Sequence, residues 1–175
     1  STRKESSAAS DVYKRQSSLN AIICRTNATA FEYFFKFHSY LNGEKKIRLE
    51  VDGKRSKDIF SGIFQLRANK RPTCKELQNF SSYQELVDHI QVFGEVEGAT
   101  TELKTFLDLT NQYSWQVIEW ALENSMADDE TDPKNTLVIS TSHKSKGLEW
   151  DNVLIAKGFN YKICLLYTSP SPRDS

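Results

Sequence analysis

The chain has 175 residues, enough for one domain with a real core, and its 38% hydrophobic and 26% charged residues are those of a globular protein rather than a disordered or collagenous one. Lys plus Arg and Asp plus Glu both number 23, so there is no global positive field and any contact with a polyanion has to be local. No apolar run nears the roughly 20 residues of a membrane span. Cys24, Cys74 and Cys164 are odd in number, scattered and in no CxxC pair, which points away from a disulfide framework or a zinc site and fits a reducing compartment.

Residues 1–18 are rich in Ser, Lys and Arg and are expected to be a mobile arm; STRKESSAAS has no apolar segment of the secretory kind. Ala21-Ile22-Ile23-Cys24 reads as a short strand, followed by the polar turn Arg-Thr-Asn and a buried, aromatic-rich helix over 28–41 that ends at Asn42-Gly43. Ile47, Leu49 and Val51 alternate with charged residues, which predicts a half-buried strand closed by Asp52-Gly53. A helical region over about 57–124 follows. Its apolar positions are Ile59, Ile63 and Leu66, then Leu86, Ile90 and Phe93, then Leu103, Phe106, Leu107 and Leu109, continuing from Tyr113 through Ile118 and Leu122.

The acidic run Asp128-Asp129-Glu130 with Asp132-Pro133 reads as a solvated loop. Leu137-Val138-Ile139 and Val153-Leu154-Ile155 are continuous apolar runs of the type found in buried parallel strands. Strands separated by helices predict an α/β fold with a largely parallel sheet and a helical insertion. Residues 164–175, with YTSPSPRDS, lose all periodicity; both ends are expected to be foreign to the 19–163 domain and introduced in assembly or cloning.

Chemistry concentrates in one stretch, Ser140-Thr-Ser-His-Lys-Ser-Lys-Gly-Leu-Glu-Trp-Asp-Asn-Val-Leu154, which connects two of those strands. Loops at the carboxyl ends of parallel strands are where such sheets put ligand-binding groups. Thr141, Ser142 and His143 can donate to phosphate oxygens, Lys144 and Lys146 add positive potential, and Gly147 lets a backbone approach a ligand. Elsewhere, Trp115 and Trp120 lie five apart, which assigns them to helix packing rather than base stacking. Lys45, Lys46, Arg48, Lys54, Arg55 and Lys57 read as solvated charge along a strand edge.

TSHKSKGLEWDNVLI resembles motif V of the UvrD-like superfamily 1 helicases, and Ala21-Ile-Ile-Cys-Arg-Thr-Asn-Ala28 resembles the stretch that opens their second motor domain. The KKIRLEVDGKRSKDIF segment is most similar to the F-box DNA helicases and their bacterial relatives; the resemblance covers about residues 20–160. It implies a RecA-like second motor domain of an ATP-dependent 3′ to 5′ DNA helicase, with single-stranded DNA and a first motor domain of the same polypeptide as partners and ATP and Mg2+ as cofactors of the whole enzyme. It further implies that Thr141 and His143, with Ser142, Lys144 and Lys146 beside them, face DNA, that Glu149 meets the ATP sugar, near Gly147, and that Trp150 packs behind the loop in the core. Arg25 is read equally as a nucleotide-phosphate ligand or a structural residue.

No pair of the seven glycines is spaced as Gly-x-x-x-x-Gly-Lys-Ser/Thr requires, so the chain has no P-loop and is expected to be inert alone. Leu165-Leu166-Tyr167 with Arg173 does not make the expected arginine motif, because prolines interrupt it. The alternatives are a non-catalytic DNA- or protein-binding module, or an RNA-directed helicase or helicase-nuclease subunit. Localisation is expected to be cytoplasmic and nucleoid-associated in a bacterium, nuclear in a eukaryote.

Overall fold

Short aliphatic runs form the strands and aromatic-rich segments form the helices that cover them. A computed structural model describes residues 18–43, 45–96, 98–126, 135–147, 149–156 and 166–168. The expectations for the 1–17 arm, the acidic run at Asp128, Leu148 of the Gly-Leu-Glu motif, Cys164, Leu165, Arg173 and the Ser-Pro tail lie outside these residues.

The elements in chain order are β1 (Ala21–Cys24), α1 (Asn27–Leu41), β2 (Lys46–Glu50), α2 (Gly53–Arg67), a 3-10 turn (Lys75–Leu77), α3 (Tyr83–Phe93), α4 (Ala99–Gln112), α5 (Trp115–Met126), β3 (Thr136–Thr141), β4 (Asn152–Ile155) and β5 (Leu166–Thr168). The sheet order is β2-β3-β1-β4-β5. β1 pairs parallel with β3 and with β4, and β2 pairs parallel with β3, giving the α/β fold expected of a RecA-like domain. β5, within the 164–175 tail, pairs antiparallel with β4 and adds an edge strand.

Among the described residues the helices pack on one face of this sheet. Ile22, Cys24, Ile47, Leu49, Leu137 and Ile139 are buried in the core with α1, whereas their strand neighbours Ile23 and Val138 on the other face are only half-buried and outside that core. Period-two alternation puts these two sets on opposite faces. α1 fits its place because it is aromatic nearly all round: Phe31, Phe34 and Phe37 are fully buried. Its start is capped by Thr26, whose hydroxyl accepts the Thr29 N–H at 3.2 Å, and it ends where Asn42 turns left-handed at φ 44°.

Helices α2 to α5 fill the span between β2 and β3, and only α1 and α5 among the helices reach the sheet closely. A chain of edge-on rings ties the insertion to α1. Phe60 of α2 sits 5.3 Å from Phe31 and 4.8 Å from Phe106 of α4, both near perpendicular. Gly62 packs closely on the 3-10 turn: a Cβ there would stand 2.6 Å from Leu77 Cδ1, so the buried Leu77 side chain would have to shift. Arg67 then clamps three helices together. Its guanidinium donates to the Thr110 carbonyl (3.1 Å), Thr110 Oγ1 (3.0 Å), Asn111 Oδ1 (2.9 Å) and Tyr83 Oη (3.3 Å).

Three local readings are corrected. The helical region begins at 53 rather than about 57: β2 ends before Asp52-Gly53, Asp52 caps α2 by accepting the Arg55 N–H at 3.1 Å, and Gly53 is the first helical residue. The long helix expected through Tyr113 breaks there, because Tyr113 is extended at φ −124° and its ring stacks 4.1 Å from Phe35. Phe93, expected on the buried face of α3, is 49% exposed at the helix end, while Leu86 and Ile90 are buried.

Phe60→Ala is expected to cost about 3–5 kcal/mol, because it opens a cavity between α1, α2 and α4. Urea unfolding followed by circular dichroism measures it, and a loss below about 1 kcal/mol would mean that the insertion is not anchored through this ring.

Candidate nucleic-acid interface

The parallel pairing brings three strand ends together. Cys24 at the end of β1 lies opposite Thr141 at the end of β3, and Glu50 at the end of β2 lies opposite Ser140. The chain segments that follow these ends therefore share the carboxyl edge of the sheet, where α/β folds place ligands.

The segment after β3 is a self-braced turn. Ser142 N–H donates to the Cys24 carbonyl at 2.9 Å, which ties the loop to β1. Lys144 and Ser145 N–H groups donate to the Thr141 carbonyl at 3.1 and 3.0 Å, and Lys144 N–H also reaches Thr141 Oγ1 at 3.3 Å. Ser145 Oγ donates to the Ser142 carbonyl at 3.0 Å. Thr141 is itself buried, so its hydroxyl holds the turn. Ser142, His143, Lys144 and Lys146 are exposed or half-buried. A turn fixed from within by backbone bonds holds those side chains outward without using them.

Gly147 is exposed and has φ +82°; a Cβ there would meet nothing within 4 Å. The glycine answers a left-handed backbone and not crowding. Glu149 is exposed and lies three residues ahead of Asn152, on the segment leading into β4. Asn152 sits at the amino edge, its carbonyl accepting Asn20 N–H at 2.9 Å and its N–H donating to Asn20 Oδ1 at 3.1 Å. The loop thus carries the chain from one edge of the sheet to the other. Trp150, expected in the core from the resemblance, is half-buried on that crossing.

Arg25 is exposed in the β1–α1 turn and lines a cavity of about 130 Å3 with Thr26, Thr29, Thr101, Glu102 and Thr105. Pockets for whole ligands run to roughly 300–1,000 Å3, so this one holds a fragment of a nucleotide at most. The neighbouring Asn27 accepts Asp52 N–H on its Oδ1 at 3.1 Å, clasping the β1 turn to the β2 turn. Glu102 in turn accepts from Arg55 Nη1 at 2.5 Å, while Glu76 takes Nε and Nη2 of the same guanidinium at 3.0 and 3.2 Å. Burial opposes the Arg55 charge, yet Glu102 and then Glu76 outweigh it and raise its pKa. The roles of Asn27, Glu102 and the threonines were not legible in sequence, because they arise between segments distant in the chain.

The domain description of the UvrD-like helicase C-terminal domain matches residues 10–164. The chain belongs to this family. Over 149 residues it is 28% identical to F-box DNA helicase protein 1 of Schizosaccharomyces pombe (strain 972 / ATCC 24843), an alignment that covers 82% of this chain and 16% of that protein's length. No solved structure matches. The UvrD-like match takes in residues 10–18, which composition assigned to a foreign arm, and the Ser18 carbonyl accepts Asn152 Nδ2 at 3.3 Å, so Ser18 at least is joined to the fold. In this UvrD-like domain the candidate residues Thr141, Ser142 and Arg25 are brought together at the carboxyl edge, and His143, Lys144 and Lys146 project from the same turn.

Removing the turn's internal acceptor should loosen it. Thr141→Val is expected to cost about 1–2 kcal/mol, since the Lys144 N–H is deprived of one acceptor, and to speed amide exchange at Lys144 in NMR. Exchange no faster than in the parent chain would show that Thr141 Oγ1 does not hold the turn.

Proposed function

We propose that the chain supplies the second motor domain of an ATP-dependent DNA helicase or translocase moving 3′ to 5′, gripping single-stranded DNA through the β3–β4 loop and completing a shared ATP site. The observation that carries this reading is the braced turn at the carboxyl edge, which offers His143, Lys144, Lys146 and the Ser142 hydroxyl to solvent beside the β1 turn that bears Arg25. Membership of the UvrD-like family and the similarity to an F-box DNA helicase support it.

The exposed donors suit a phosphate backbone. Hydroxyl, imidazole and ammonium groups contact phosphate oxygens regardless of base, so the grip is indifferent to sequence and the strand can slide. A turn that is rigid in itself but tethered to β1 passes any tilt of the sheet directly to the held strand. Thr141 acts here by positioning the turn, with Ser142 and His143 as its outward donors.

For the nucleotide, the donor set fits half of a site. Glu149 provides an exposed carboxylate able to accept from sugar hydroxyls, Arg25 provides a guanidinium for phosphate oxygens, and Gly147 provides a left-handed backbone free of a side chain. Bound Mg-ATP supplies the free energy of phosphate transfer to water. The P-loop lysine and metal ligands that this reaction needs have no counterpart in these residues, so they belong to the first motor domain, and the chain by itself has no ATPase activity.

Binding of the chain to oligothymidylate, measured by anisotropy across a salt series, tests the grip. Lys144→Gln with Lys146→Gln is expected to lower the slope of log K against log salt by about 1.4, at roughly 0.7 for each single-strand phosphate that is no longer neutralised. An unchanged slope would remove the loop from the strand. In an enzyme joined to its first motor domain, Glu149→Ala should raise the Kd for ATP while leaving DNA affinity intact, and His143→Ala should blunt the stimulation of hydrolysis by DNA. Parent-like nucleotide binding in the first, or a parent-like stimulated rate in the second, would withdraw the respective role.

A further inference from the structure

α3 leaves part of its surface uncovered. Leu86 and Ile90 are buried in the core, but Val92, Val96 and Phe93 are 68%, 62% and 49% exposed, the three highest values for large apolar side chains among the described residues. They fall at the last turn of the helix and just beyond it. Single exposed hydrophobics are ordinary, whereas a group of them at one helix end marks a contact surface. The group is also held in place. The Phe93 ring lies 4.9 Å from that of His89, which lies 5.2 Å from Phe80, a partly buried residue packed on the core. Val96 N–H donates to the Phe93 carbonyl at 3.1 Å, and the Val96 carbonyl accepts the Thr101 hydroxyl of α4. Groups fixed in this way lose little freedom when a partner covers them.

The border of this patch is acidic. Residues 83–96 contain Glu85, Asp88 and Glu95 and no Lys or Arg. At helical spacing Val92 stands one turn beyond Asp88 and two turns beyond Glu85, so apolar and acidic groups share one exposed face. Glu85 accepts the Ser81 N–H at 2.8 Å and Asp88 accepts the Gln84 side-chain amide at 2.9 Å; both donors are neutral, and neither carboxylate forms an ion pair among the described residues. Glu95 does form one, with Lys104 Nζ at 2.6 Å, but Asp108 attracts the same ammonium, so that cation is shared between two acids. Negative charge around an apolar centre turns away a phosphate backbone. It also disfavours a second copy meeting it patch to patch, which would set like charges together, and it complements Lys or Arg.

We propose that the end of α3 docks a protein segment whose apolar side chains are flanked by Lys or Arg, the apolar groups covering Val92, Phe93 and Val96 and the cations facing Glu85 and Asp88. This surface uses no residue of the β3–β4 loop and stands whether or not that loop grips DNA.

Selection of short random peptides displayed on phage against the whole chain, followed by fluorescence anisotropy with the enriched sequences, tests the assignment. Enriched peptides are expected to combine bulky apolar residues with Lys or Arg and to bind more weakly as salt rises. Val92→Ser and Asp88→Lys should each weaken them roughly tenfold, the first by removing apolar cover and the second by reversing a charge. Both side chains are exposed, so both variants should fold, as circular dichroism will check; should one be perturbed, the other decides. Enrichment of acidic peptides, no enrichment, binding undiminished in a folded variant, or sedimentation revealing a dimer that these variants dissolve would overturn the proposal. His143→Ala should leave peptide binding intact, so a failure of the loop to bind DNA and a failure of α3 to bind a peptide are read separately.

Discussion

The parallel register of β1, β2 and β3 is the constraint on which the functional edge depends. Because Cys24 faces Thr141 and Glu50 faces Ser140, three strands end together and their following segments meet. Two hydrogen bonds then convert proximity into a fixed edge: Ser142 N–H to the Cys24 carbonyl joins the β3 turn to β1, and Asp52 N–H to Asn27 Oδ1 joins the β2 turn to the β1 turn. A slip of one residue in β3 would turn Ile139 out of the core and carry every donor of the turn to the other face. Core burial of Leu137 and Ile139 therefore positions His143 as surely as any contact that His143 makes itself.

The insertion serves the same edge by a different physics. Edge-on packing of Phe31, Phe60 and Phe106 draws α2 and α4 onto α1, at about 0.5–1.5 kcal/mol for each aromatic pair beyond burial. With α2 and α4 so placed, their first turns lie beside the strand ends, where Arg55 bridges Glu76 and Glu102. That bridge joins α2, the 3-10 turn and the start of α4 through one guanidinium.

Much of this was legible in the residues, because the signals were local. The Ala21–Cys24 strand, the aromatic helix ended by Asn42-Gly43 and the two apolar strands around the motif follow from composition, periodicity and a left-handed cap. The motif also announced its loop. Less legible were features set by capping, burial or packing between segments. Asp52-Gly53 marks the end of a strand without showing that a helix starts there at once, and Tyr113 looks helical until its ring finds Phe35. Thr141 reads as an outward donor, yet strand burial turns its hydroxyl to the Lys144 amide. Trp120 has the spacing of a packing residue, and only the meeting of α1 with α5 shows how much of its ring stays exposed.

The β3–β4 connection carries the last consequence. β3 and β4 run parallel on either side of β1 and cannot be joined by a tight turn, so the chain must travel from the carboxyl edge at Ser142 to the amino edge at Asn152, crossing β1 on the way. The first half of that crossing is braced by four internal hydrogen bonds to Thr141 and Ser142, and the second half begins at Gly147, where the backbone turns left-handed. One segment thereby has a rigid portion beside β1 and a return portion bearing Glu149, separated by a single residue able to take that conformation without strain. Groups set on either side of such a joint can answer to different ligands while remaining mechanically continuous, which is the property a coupling element requires.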